Sequence, residues 1–171
     1  LNQQDYKGKR VNLKLTDKNN FSIFTKLDLG VHKNLNVEQE ETIFNINTLN
    51  NNVILLANSK EQIFVEKLKS LLRFGASSTR YKYILYLYYL LNNTNLNKNK
   101  LYLLINDYIF LDESIDYNNM NDVFNRLNKS LNNKRFIRNF DNIKNNWLEL
   151  PIIEVNKSIL DFISSLVYVE I

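Results

Sequence analysis

The 171-residue chain contains no cysteine and a single histidine, His32. Without thiols there is neither a disulfide framework nor a thiolate metal site, and one imidazole does not make a histidine-based centre. Any metal must therefore be held by oxygen. Long apolar runs are missing as well. The greasiest stretch, Tyr83 to Leu91, is about half of the roughly 20 residues that cross a bilayer, so no membrane partner is expected. No basic start followed by an apolar segment marks a secretory leader, and the cytoplasm is the expected address. An initiator methionine is lacking too, since the chain begins at Leu1; the expectation is a fragment, a processed chain or an incompletely described amino terminus.

What is present points to a folded protein. A hydrophobic fraction of 44% and an aromatic fraction of 12% exclude global disorder, despite asparagine runs such as Asn50-Asn51-Asn52. The length suits one domain, or a small strand-rich unit joined to a helical one. A net charge of +4 is a mild bias toward phosphate-bearing partners, and its distribution matters more than its size. Cations gather at Lys60, Lys67, Lys69, Arg73, Arg80 and Lys82, and again at Lys129, Lys134, Arg135 and Arg138. The second group reads as a solvated helix surface.

Strand patterns come first. Val11 to Leu15, Phe21 to Leu29 and Thr42 to Ile46 alternate apolar and polar residues, and Val53 to Leu56 is a short apolar run, so a small mixed or antiparallel sheet is predicted. Asp17-Lys18-Asn19-Asn20 and Asn50-Asn51-Asn52 supply the turns. After Ser59, a helix cap, the period changes: Ile63, Phe64, Leu68, Leu71 and Leu72 predict a helix that Gly75 ends. Ser77-Ser78 are expected to cap a buried helix from Thr79 to Leu91. Further helices are predicted over Lys98 to Asp107, Asn119 to Asn132, Ile143 to Leu148 and Lys157 to Val167. The fold class is therefore α+β, with residues 1–75 a sheet-containing part and 76–171 a helical subdomain.

Two groupings suggest chemistry. Lys26-Leu27-Asp28-Leu29-Gly30 puts a carboxylate near the end of an apolar strand, where it suits oxygen ligation of a magnesium ion or simply opens a turn. Glu66 and Lys67 on the first helix, followed by Arg80 and Lys82 at the start of the next, suit a phosphate grip or a surface network of ion pairs. The five tyrosines Tyr81, Tyr83, Tyr86, Tyr88 and Tyr89 occupy too many faces of one helix for a single stacking platform, so core packing is expected of them. Arg126 and Lys129 on a polar helix raise a winged-helix DNA-binding alternative without a wing to support it.

Taken in order, Lys26-Leu27-Asp28, Glu66-Lys67, Arg80-Tyr81-Lys82 and the later Asn145-Asn146-Trp147 resemble the AbiEii/AbiGii nucleotidyltransferase-like toxins of type IV toxin–antitoxin and abortive-infection systems. The resemblance runs from about Tyr6 to Trp147. It implies a nucleotidyltransferase-like sheet, Mg2+, a nucleoside triphosphate substrate, an RNA acceptor such as a transfer RNA or a protein acceptor, and an antitoxin protein as partner. It makes Asp28, Glu66 and Lys67 the catalytic group, with Asp28 a metal ligand and Lys67, Arg80 and Lys82 holding phosphates. Two features depart from the family. Its Gly-Ser turn and Asp-x-Asp pair do not occur here and would have to precede Leu1. Where the family has further aspartates after the Arg-x-Lys run, this chain has Tyr83 and Tyr86, whose phenols keep their protons to about pH 10. The expectation is a chain that is inactive by itself, or a non-catalytic member that binds nucleic acid or a protein partner.

Overall fold

Period-two alternation builds the first ladder in the computed structural model, which describes residues 8–30, 39–46, 51–141 and 146–167. Strand β1 (Gly8–Thr16) pairs antiparallel with β2 (Ser22–Gly30). The register sets Val11 opposite Leu27 and Leu15 opposite Ile23, and Arg10 opposite Asp28 and Lys14 opposite Phe24. Since neighbouring residues point to opposite faces, Val11, Leu13, Leu15, Ile23, Leu27 and Leu29 share one face, and Arg10, Lys14, Lys26 and Asp28 the other. The turn between the strands is held by Asp17, whose Oδ1 accepts from the backbone N–H groups of Asn19 and Phe21 at 2.9 and 2.8 Å. Asn20 completes it at φ 65°, a left-handed conformation that asparagine tolerates better than most residues.

Strands β3 (Gln39–Ile46) and β4 (Asn51–Asn58) form a separate two-stranded antiparallel sheet. The short connection between them leaves no room for the crossover a parallel pair requires. The chain divides into two units, Leu1–Gln39 and Glu40–Ile171. The first carries the β1–β2 hairpin; the helices that follow belong to the second.

Helix α1 (Lys60–Phe74) is the centre of the helical body. Ser59 caps it, accepting from the Gln62 N–H at 3.3 Å, and Phe64, Val65, Leu68, Leu71 and Leu72 are all buried. That stripe packs against α2 (Lys82–Asn93), α3 (Lys98–Ile105) and α4 (Met120–Leu131). Helix α6 (Ile152–Val167) lies against α2 and α4 with Val155, Ile159 and Ile163 fully buried. No helix among the described residues is long and apolar enough to cross a membrane.

Several boundaries moved for local reasons. Helix α2 starts at Lys82, not Thr79, because Ser78 Oγ turns to the Arg80 N–H at 3.2 Å and holds the preceding segment in a turn. Helix α3 runs on into a π-helical turn, Asn106–Phe110. Helix α6 begins at Ile152, well before Lys157, since Pro151 has the fixed φ that suits a first turn. Of the helix expected over Ile143 to Leu148, residues 143–145 lie outside the described residues and 146–148 form a turn. A helix that periodicity did not find, α5 (Lys134–Asp141), buries only Phe136 and Phe140, one turn apart amid cations. Asn133 opens it, accepting from the Arg135 and Phe136 N–H groups.

Candidate phosphate-binding site

Each strand and helix dictates where its candidate residue goes. Asp28 stands on the polar face of the hairpin, where the register brings it opposite Arg10. The guanidinium engages both carboxylate oxygens, Nε at 2.6 Å and Nη2 at 2.9 Å, in the two-pronged geometry that arginine and carboxylate share. The hydrogen bonds from Arg10 hold the Asp28 carboxyl below its ordinary range. Both side chains are mostly exposed, so the pair is solvated and contributes little to stability. It nevertheless occupies the oxygens a cation would need.

The remaining candidates meet in the second unit. Lys67 on α1 extends its ammonium over two rings of α2, 5.3 Å from the centroids of both Tyr83 and Tyr86. Arg80 approaches the Tyr83 ring as well, at 5.6 Å, and stacks over Phe74 at 5.2 Å while its Nη1 donates to Ser70 Oγ at 3.1 Å. Two cations thus share one tyrosine ring, an attraction of ring quadrupole for positive charge that strengthens where water is excluded. Burial pushes the Lys67 ammonium below its ordinary range; Glu66 opposes that shift and Lys82 adds to it by repulsion. Among the described residues no carboxylate forms a salt bridge with Lys67, Arg80 or Lys82. No side chain caps the start of α2, where the Tyr83 and Ile84 N–H groups donate to the Arg80 and Tyr81 carbonyls at 2.9 and 3.0 Å.

Glu66 has a different engagement, accepting from Gln62 Nε2 at 2.9 Å one turn earlier on α1. Magnesium binding by oxygen needs several converging ligands. Asp28 is tied to Arg10, Glu66 to Gln62, and among the described residues no three acidic or histidine side chains gather. These residues do not supply the donor set of the magnesium centre that the resemblance implies.

Other cations have structural partners. Lys69 and Arg73 pair with Asp112, and Arg126 turns inward, its Nε donating to the Leu72 carbonyl at 3.2 Å near the end of α1. That contact answers a carbonyl the helix leaves unpaired and makes Arg126 a helix-end residue. Lys129, Lys134, Arg135 and Arg138 are exposed, as a solvated helix surface should be.

The tyrosines of α2 divide by face. Tyr81 and Tyr88 pack against the core, Tyr81 touching the Phe136 and Phe140 rings at 5.2 and 6.0 Å. Tyr86 and Tyr89 are exposed and meet Trp147 at 5.8 and 5.7 Å between centroids. The spacing of Tyr83, Tyr86 and Tyr89 at successive turns is the sequence signal for this split. In comparisons with known proteins, no family model matches the chain, and no similar curated protein or solved structure was found.

Proposed function

We propose that this chain binds the phosphate chain of a nucleotide or nucleic acid through Lys67, Arg80 and Lys82, and that it does not transfer nucleotides by itself. The observation that carries the reading is the shared Tyr83 ring, which draws a half-buried lysine and an arginine together with no salt bridge to a carboxylate among the described residues, the Glu66 charge offsetting that of Lys67 only in part. Like charges held close are unfavourable until an anion joins them, so phosphate oxygens are the natural complement. The resemblance to AbiEii/AbiGii nucleotidyltransferases supports the same ligand class. It adds magnesium, an acceptor RNA or protein and an antitoxin as expectations for an intact relative.

Transfer itself requires metal-held carboxylates around the α-phosphate, and tyrosines stand where the family has aspartates. Titration with inorganic triphosphate and with ATP, followed through the amide resonances of α1 and α2, tests the binding. Saturable shifts around Lys67, lost in Lys67→Met, are expected. An unchanged spectrum at millimolar ligand defeats the proposal.

A further inference from the structure

Tyr86 and Tyr89 are one turn apart on α2, and Trp147 reaches both from the turn that precedes Pro151. Their rings are tilted against one another, at 54° and 61°, which leaves the ring faces incompletely covered. They are 44%, 43% and 48% exposed. Large aromatic rings bury more apolar area than almost any other side chain, and three of them held together at the surface form a patch that invites a ligand. The patch adjoins the cation cluster directly, because the Lys67 ammonium that sits over Tyr83 also sits over Tyr86. The neighbouring Lys67 is positive and makes no salt bridge among the described residues, which favours a polyanion over an apolar protein segment.

From this juxtaposition we infer that Tyr86, Tyr89 and Trp147 form a stacking ledge for an unpaired nucleobase whose own phosphate is held at Lys67. The inference rests on the phosphate-binding reading above and adds the base to it. Every nucleobase has a π-face, so the ledge accepts any of them, and the single strand is recognised by form more than by sequence. A duplex, with its bases already stacked, has nothing to offer it.

Trp147 is the chain's one tryptophan, and its emission therefore reports the ledge alone. The full chain is titrated with an oligouridylate of about eight nucleotides, within the usual range of single-strand site sizes, with UTP, with an abasic strand of equal length and with inorganic triphosphate. The base-bearing ligands should quench Trp147 saturably. The abasic strand and triphosphate should compete for binding without quenching. Quenching by the strand alone assigns the ledge to single-stranded nucleic acid, and quenching by UTP as well assigns it to mononucleotides too.

Trp147→Leu, read by anisotropy of a labelled strand, should weaken the oligouridylate about ten-fold and leave triphosphate unaffected. Tyr89→Leu should weaken it in the same sense and provides a second variant should the first fail to fold. Trp147→Phe should recover part of the loss. Equal affinity for abasic and base-bearing strands, or undiminished affinity in both leucine variants, overturns the inference while the phosphate site stands. Failure of triphosphate to bind at all overturns the phosphate reading instead.

Discussion

At the scale of single residues, two positions carry more than their chemistry suggests. Gly75 ends α1 at φ 53°, a left-handed conformation costly for any residue with a Cβ. A Cβ there would also come within 2.5 Å of the Arg126 guanidinium, the group that answers the Leu72 carbonyl. Gly75→Ala is therefore expected to destabilise the helical body by about 1–3 kcal/mol, measured by urea denaturation. The second position is Asp112, beyond the π-helical turn. Burial alone would raise its carboxyl, but hydrogen bonds from Lys69 and Ser114 outweigh that and hold it at about 2. Because the folded value lies below the unfolded one, the stabilisation is complete above about pH 4 and is lost as pH falls toward 2. It amounts to about 2 kcal/mol. Asp112→Asn should flatten that part of the pH–stability curve, and a curve of unchanged slope would remove the assignment.

At the scale of elements, the sequence was most informative where burial is one-sided and local. The alternation over Phe21 to Leu29 and the stripe of Phe64, Leu68, Leu71 and Leu72 placed β2 and α1 within a residue, while the alternation over Val11 to Leu15 found β1 but missed its first three residues. Asn119 announced α4, accepting from the Asp122 N–H while its amide donates to the Asp122 carboxylate. Helix α5 was not legible, because two phenylalanines among cations make too short a signal. The candidate site was partly legible: Lys67 on α1 and Lys82 at the start of α2 come together because the two helices pack, and Arg80 joins them from the turn just before α2. The engagement of Asp28 by its cross-strand partner Arg10 was not legible, because that pairing is invisible until the register is known. Truncating Leu68, which is fully buried on α1, to alanine should cost about 2–5 kcal/mol in chemical denaturation. The β1–β2 hairpin behaves differently, with Leu15, Ile23 and Leu27 all about half exposed, and a lone two-stranded hairpin is marginally stable in water. Its amides should therefore exchange faster than those of α1.

At the scale of the whole molecule, the proposed reading is a phosphate-binding chain that does not transfer nucleotides by itself. With magnesium, labelled nucleoside triphosphates and either transfer RNA or protein as acceptor, the purified 171-residue chain should incorporate no label above background. Measurable incorporation would refute the non-catalytic reading. The helical body also contains a reporter of its own integrity. Glu61, 2% exposed at the start of α1, accepts from the Asn97 N–H at 2.9 Å and so fastens the first turn of α1 to the cap of α3. A fastening of that kind links the start of one helix to the start of another, so Glu61→Ala should speed deuterium uptake at the Asn97 amide and loosen the first turns of both helices together.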